Sequence, residues 1–327
     1  MNAASPANGH ITVLLEEAVD ALRPRSGGVY VDGTFGGGGH TGLLLSRVDG
    51  EATVYAIDAD PQAIHRAEAL AATPSGAGVT PVHANFRGLD RVAERLGIDG
   101  VDGVLLDLGL SSFQLDEAER GFAFRFAGPL DMRFDPTTGP SAADLVNTLE
   151  TDELARLLWQ YGEESSSRRI ARVIVERRAR APIETTTELA ELVEAAVGGR
   201  RGKAIHPATK TFQALRIAVN EELAALESAL GAAVSLLRPG GRLVVISFHS
   251  LEDRIVKQTI AAESATCICP PDQPVCTCDH QPRLRRIGKP VRPGANEIDI
   301  NPRSRSAIMR IAERLPATGT DEVRPGA

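Results

Sequence analysis

Residues 29–46 read Val29-Tyr-Val-Asp32-Gly33-Thr34-Phe-Gly36-Gly-Gly38-Gly39-His40-Thr41-Gly-Leu-Leu-Leu-Ser46. A short apolar run ends on an aspartate, dissolves into glycine and resumes as a leucine-rich helical stretch. That is strand, glycine loop, helix. Glycines there let the backbone approach a ligand closely, with a helix N-terminus behind it.

The rhythm extends outward in both directions. Residues 52–58 (Ala-Thr-Val-Tyr-Ala-Ile-Asp) form a second strand. Asp60-Pro61 opens a helix, since Asp accepts amide hydrogen bonds and Pro fits the first turn. Residues 79–84 and 101–107 are a third and a fourth strand. Upstream, 10–22 follows helical spacing until Pro24 and Gly27-Gly28 end it. Strands alternating with helices imply a parallel sheet covered on both faces.

From about 115 to 220 no strand pattern occurs. The spacing predicts helices over 144–161, 167–180, 187–197 and 209–230. Strands return at 242–247 and 306–315. The expected architecture is an α/β Rossmann-like sheet with an inserted all-helical domain. Its first part covers 1–114, the helical insert 115–220, the second part 221–315, and 316–327 is a loose tail.

The chain has 327 residues, enough for about two domains, with 43% hydrophobic and 24% charged residues. That composition excludes disorder of the whole chain. No window approaches the roughly 18 apolar residues of a membrane span. The N-terminus has no basic region followed by an apolar one, so no secretory signal is expected and the expected location is cytoplasmic.

Net charge is −7, yet the basic residues are segregated. Arg168, Arg169, Arg172, Arg177, Arg178 and Arg180 crowd one segment. Arg200, Arg201, Lys203 and Lys210 crowd the next, and Arg283, Arg285, Arg286, Lys289 and Arg292 a third. Such clusters are either solvated faces or seats for a polyanion.

Aspartates terminate the first, second and fourth strands at Asp32, Asp58 and Asp107. In open α/β sheets ligands bind at this carboxyl edge. Asp58 lies about 20 residues past the glycines, where an acidic side chain meets ribose hydroxyls. Asp32-x-Thr34-x-Gly36-x-Gly38 places the acid before the glycines. That suits S-adenosylmethionine, which is cationic and lacks phosphate, better than a pyrophosphate that Asp32 would crowd. An NAD-dependent oxidoreductase is kept as the alternative, and an RNA-binding assembly factor without catalysis as a third class.

Two polar segments follow strand ends. Asp107-Leu-Gly-Leu-Ser111-Ser112-Phe-Gln114 stands where amino-group methyltransferases meet the methyl acceptor. An exocyclic amine on a base is a poor nucleophile, so acceptors for its protons and alignment with the methyl group matter. Asp107, Ser111 and Ser112 are the candidates. Ser247-Phe-His249-Ser250-Leu-Glu252-Asp253-Arg254 is the second, with His249 as proton acceptor or phosphate ligand and Ser250 and Arg254 beside it. In the insert, Lys210, Gln213 and Arg216 are spaced three apart on a helix, as phosphate contacts would be.

Cys267, Cys269, Cys276 and Cys278 occupy one proline-rich stretch. Disulfides are unexpected without a secretory context. The C-x-C pair repeated twice departs from the usual C-x₂-C zinc spacing, so the reading is a reduced surface loop with no metal assigned.

Long collinear strings resemble the ribosomal small-subunit RNA cytosine-N4 methyltransferases, the MraW or RsmH type. They include Asp32-Gly-Thr-Phe-Gly-Gly-Gly-Gly-His40, Ala56-Ile-Asp-Ala-Asp-Pro, Leu105-Leu-Asp-Leu-Gly-Leu-Ser-Ser, Gly128-Pro-Leu-Asp-Met-Arg-Phe-Asp, His206-Pro-Ala-Thr-Lys-Thr-Phe-Gln-Ala-Leu-Arg and Ile246-Ser-Phe-His-Ser-Leu-Glu-Asp-Arg. The likeness spans about 10–315. It implies a Rossmann-like class I methyltransferase sheet with a helical insert, and S-adenosyl-L-methionine as donor. The implied target is N4 of a cytidine in 16S rRNA of the small ribosomal subunit, position 1402 in the usual RNA numbering. It leaves monomer or homodimer open. Cofactor contacts carried over by the resemblance are Gly38, Gly39, His40, Asp58, Phe86, Asp107 and Gln114.

Two departures stand out. Many DNA amino-methyltransferases have Asp/Asn-Pro-Pro-aromatic after the fourth strand, and this chain has Asp107-Leu-Gly-Leu. Phe113, Phe122 and Phe248 are the candidates to stack a displaced base in its place. The cysteine group does not occur throughout the family, so it is not expected to serve the chemistry.

Overall fold

The computed structural model describes residues 11–200, 205–270, 273 and 275–317. The strands are β1 (Gly28–Asp32), β2 (Ala52–Asp58), β3 (Val79–His83), β4 (Val101–Asp107), β5 (Leu237–Ser247), β6 (Leu284–Val291) and β7 (Ile308–Arg314). They form one sheet in the order β3-β2-β1-β4-β5-β7-β6. β1 to β5 run parallel, and β7 pairs antiparallel with both β5 and β6.

Successive strand residues point to opposite faces, and both faces are apolar here. Val31, Ile57, Leu106 and Val245 join one buried cluster, while Tyr30, Val54, Leu105 and Val244 join another. The helices α1 (Leu15–Leu22), α2 (Gly39–Arg47) and α3 (Pro61–Ala71) cover the second face. The first is covered by α4 (Leu89–Leu96), then, past the helical insert, by α11 (Glu222–Leu236) and α12 (Ser250–Ser264). This two-sided burial is the Rossmann-like α/β class. A short helix, α13 (Ala295–Ile300), precedes β7.

The chain divides into two compact units. Residues 11–109 and 225–317 make the sheet unit, and 110–224 make the helical one. The helical unit contains α5 (Ser112–Asp116), α6 (Ala142–Thr148), α7 (Thr151–Gly162), α8 (Ser167–Arg178), α9 (Thr186–Val197) and α10 (Thr209–Asn220). Leu154, Leu158, Ile170, Ile174, Leu189, Val193, Phe212 and Leu215 fill its core.

Four differences from the expected elements have identifiable causes. The first helix starts at Leu15 because Leu14 takes a left-handed backbone (φ 50°), and its amide donates to the Glu297 carboxylate at 2.8 Å. The helix expected over 144–161 is two helices. Arg178 donates to the carbonyls of Val146 and Leu149, both at 2.6 Å, and so satisfies the end of α6. The helix expected over 209–230 breaks at Glu221 (φ 48°). There the Asn220 amide donates to the Met132 carbonyl at 2.8 Å, its Oδ1 accepts from Phe134 N–H at 2.7 Å, and Arg216 grips Glu222 across the break. β6 was not expected, because it is an exposed, charged edge strand carrying Gly288 and Pro290. Arg201, Lys203 and the tail beyond 317 lie outside the described residues.

Leu158 is fully buried in the helical unit. Leu158→Ala is expected to cost about 2–5 kcal/mol of stability, through lost transfer energy and a residual cavity. A urea titration checks this: the midpoint falls while the slope is kept. A loss under about 0.5 kcal/mol would remove Leu158 from the core.

Candidate active site

Parallel pairing sets three carboxylates along one sheet edge. Asp32 is in register with Leu105, and Asp107 with Ile246. Asp58 closes β2 beside β1. The loop after β1 is stitched to these strand ends. Asp32 accepts from Thr34 N–H at 3.2 Å and from the Thr41 hydroxyl at 2.7 Å. Asp58 accepts from Gly36 N–H at 2.8 Å and Asp60 N–H at 2.9 Å. The Thr34 hydroxyl accepts from Asp107 N–H at 2.7 Å.

Glycine is required where this loop turns into α2. Gly38 has φ 76°, and a Cβ there would stand 2.5 Å from the Phe35 ring. At Gly39 a Cβ would meet the Thr12 hydroxyl at 2.0 Å. α2 starts with no side-chain cap.

Electrostatics separate the three acids. Burial pushes Asp32 up to about 6, against the pull of its Thr41 and Thr34 hydrogen bonds. Burial likewise pushes Asp58 up to about 6, opposed by the amides of Asp60 and Gly36. Asp107 is held well above the ordinary carboxylate range by burial first, then by the charges of Asp32 and Glu252. Its Oδ1 is sealed from solvent and has no hydrogen-bond partner among the described residues. Its Oδ2 is 3.9 Å from His40 Nδ1. His40 is buried, with Nε2 3.2 Å from the Val13 carbonyl. A carbonyl only accepts, so Nε2 carries the hydrogen.

Residues 7–315 match the sequence model of the MraW methylase family. The chain belongs to this family. A ribosomal RNA small subunit methyltransferase H of Thermomicrobium roseum is 59% identical over 311 residues, covering 95% of each chain. Proteins of the same name from Dehalococcoides mccartyi (55% identical, 95% of this chain and 88% of the relative) and Heliobacterium mobile (50%, 94% and 99%) match along nearly the same length. The oxidoreductase alternative finds no support in these matches, and Asp32 is buried at the loop where a pyrophosphate would have to sit.

For this MraW-family chain, the structure distributes the expected site residues unevenly. Asp32, Gly36, Gly38, Gly39, His40, Asp58 and Asp107 gather at the carboxyl edge. Phe86 follows β3 and packs half-buried against the core. Ser111, Ser112 and Gln114 belong to the helical unit. There Ser111 caps α5, with its hydroxyl accepting from Gln114 N–H while Gln114 Oε1 accepts from Ser111 N–H.

Other residues take structural parts. His249 caps α12: Nδ1 accepts from Glu252 N–H at 3.4 Å, and Nε2 lies 3.1 Å from Glu252 Oε1. Glu252 in turn accepts from Phe248 N–H at 2.8 Å. His249 Nδ1 is thus taken up by the cap, while its buried Nε2 has no hydrogen-bond partner among the described residues. Ser250 and Arg254 lie in the first turns of α12. Arg216 is not a free phosphate contact, because it pairs bidentately with the buried Glu222 at 2.8 and 2.9 Å. Lys210 donates to the Glu163 carbonyl at 2.8 Å, and Gln213 to the Tyr161 carbonyl at 3.2 Å. Phe122 is buried in the helical core, stacked on Phe134, and so is no candidate for base stacking. Phe248 stands at the end of β5, its ring 3.0 Å from where a Cβ on Gly109 would lie.

Thr41 and Glu252 were missed. Thr41 carries no sequence signal of its own. Glu252 stands three residues after a cap, as in a capping box, but His replaces the usual Ser or Thr.

Asp107 ionises at a cost in the folded protein, because its folded pKa exceeds its unfolded one. That cost is absent below the ordinary carboxylate range, grows as pH rises toward the folded pKa, and stays constant above it. Asp107→Asn is therefore expected to melt roughly 1–2 °C higher at pH 7.5, the shift that about 1 kcal/mol gives in a chain of this size. The gap should shrink as pH falls toward 4. Scanning calorimetry across pH checks both, and an unchanged or lower melting point at pH 7.5 would refute the assignment.

Proposed function

We propose that this methylase transfers a methyl group from S-adenosylmethionine to the N4 amine of a cytidine in small-subunit rRNA, the cytidine at position 1402. It would act in the cytoplasm. The observation that carries this reading is the trio of carboxylates around the glycine loop, with Asp107 Oδ1 buried and without a partner. The family match and the rRNA in its relatives' names support the substrate class.

The residues fit the donor. It is cationic and carries ribose hydroxyls but no phosphate, and the loop offers acids with lone pairs to spare. When bound, it supplies a methyl carbon made electrophilic by an adjacent sulfonium. Asp58 accepts from the ribose hydroxyls, since each of its oxygens takes only one backbone amide here. Asp32 holds the loop in shape and adds negative charge. The glycine backbone at 36–39 lets the ligand lie close.

Asp107 faces the acceptor amine. On receiving the methyl group that the donor would supply, the N4 amine must lose one proton. Asp107, with its raised pKa, accepts a hydrogen bond from that amine and can take the proton. A base paired in a duplex could not align, so the cytidine must be unstacked.

The helical unit supplies phosphate contacts. Arg168, Arg169 and Arg172 are exposed on α8 at i, i+1 and i+4. Arg177 and Arg178 of the same cluster are instead engaged with Glu188 and the end of α6.

The test is methyl transfer from labelled donor to small ribosomal subunits lacking the modification, followed by nucleoside analysis. Wild type should yield N4-methylcytidine, and Asp107→Ala should lose at least about 100-fold in rate. Label in another nucleoside would overturn the target. For the RNA surface, substituting Gln at 168, 169 and 172 together should reduce the salt dependence of RNA binding by about 2–3 in log–log slope. An unchanged slope would remove α8 from the interface.

A further inference from the structure

Between α12 and β6 the chain makes an excursion that the proposed chemistry does not use. It holds all four cysteines. Their sulfur atoms converge: Cys267 to Cys276 is 3.4 Å, Cys276 to Cys278 is 3.5 Å, Cys267 to Cys278 is 3.8 Å and Cys269 to Cys276 is 4.0 Å. All four lie within 4.8 Å of one another. The separations are far from the roughly 2.05 Å of a disulfide, and the four thiols are unpaired.

Zinc–sulfur bonds of about 2.3 Å in a tetrahedron place the sulfurs about 3.8 Å apart. The four distances scatter around that edge length. Hydrophobic packing does not account for the cluster. Cys267 and Cys276 are exposed, and the neighbouring Ile268 and Val275 are 54% and 69% exposed. The backbone is arranged for sulfur that carries negative charge. The amides of Ile268, Cys269 and Thr277 donate to the sulfurs of Cys278, Cys267 and Cys269 at 3.5, 3.4 and 3.5 Å. Such outer contacts stabilise metal-bound thiolates. His280 is directed elsewhere, with Nε2 3.0 Å from the Ala262 carbonyl.

We infer that Cys267, Cys269, Cys276 and Cys278 form a structural zinc site, closed by four thiolates with no position left for substrate. Each thiol gives up its proton as its sulfur–zinc bond forms. The site replaces the small core that this loop lacks.

It stands away from the chemistry. β6 begins at Leu284, paired with Arg314 at the end of β7 where β7 passes Arg242 of β5. Arg283 N–H donates to the Glu263 carbonyl at 2.8 Å, so the end of α12 lies there too. This is the amino edge of the parallel strands, opposite Asp32, Asp58 and Asp107. The metal would anchor the crossover from α12 into the basic edge strand.

The test uses the full-length protein purified under reductant without added chelator. Elemental analysis should find about one zinc per chain. Replacing the zinc by cobalt(II) should give the thiolate charge-transfer bands and the intense visible absorption of a tetrahedral four-sulfur site. The double substitution Cys276→Ser with Cys278→Ser should lose the metal by at least about tenfold. Because that variant can misfold, a second measurement uses wild type alone. Stripping the metal should open residues 265–283 to limited proteolysis, and zinc should restore protection. Four outcomes would overturn the proposal: wild type that neither holds nor takes up zinc, stoichiometric iron in its place, disulfides under reducing conditions, or zinc retained by the double variant.

Discussion

The hydrogen bond from Asp107 N–H to the Thr34 hydroxyl, 2.7 Å long, is the contact on which the site depends. It fastens the loop after β1 to the end of β4, the two strands at the centre of the sheet. With the loop pinned there, Asp32 reaches Thr41 at the head of α2, and Gly36 reaches Asp58 across β2. Three acids are thereby crowded into a shielded edge where their charges oppose one another. Folding tolerates this because Asp32 and Asp58 are each given two donors. Asp107 keeps Oδ1 unsatisfied. A buried acceptor without a donor is costly, and the proposed reaction uses it as the place for the amine that must lose a proton.

The sheet was legible because its residues obey a single rule. Apolar runs of strand length each end on a polar residue, and a helix follows. Asp60-Pro61 opens α3 as expected, with Asp60 accepting from Gln62 N–H at 3.0 Å. The helix breaks were not legible. Asn220-Glu221-Glu222 contains neither glycine nor proline, and the apolar spacing continues through it. What breaks the helix is Asn220 bonding to residues 132 and 134, almost 90 positions earlier, a tertiary bond that no local window contains.

The site divides in the same way. Asp32, Asp58 and Asp107 could be picked out because a carboxylate at a strand's end has few structural reasons to be there. Arg216 misled because a charged side chain in a polar segment serves a buried pair as well as a ligand, and sequence does not distinguish these. Arg178 is the same case. It stands among exposed arginines but closes the C-terminus of α6. An arginine cluster is therefore best sorted by acceptor. Those that reach carbonyls or carboxylates of the chain hold the fold, while Arg168, Arg169 and Arg172 remain exposed.

The cysteines show the opposite failure. Their spacing pointed away from a metal, yet their sulfurs meet. The usual C-x₂-C spacing describes knuckles in which one turn presents both sulfurs. Here sulfurs of one C-x-C pair meet those of the other, seven to eleven residues on, so convergence comes from the meeting of two segments. The same separation keeps the proposed metal clear of the carboxylates. The acids belong to the carboxyl edge and are set by β1, β2 and β4. The loop belongs to the amino edge and is set by α12 and β6. A chain that stabilises that crossover by other means, such as a shorter connection, could lose all four cysteines without disturbing Asp107.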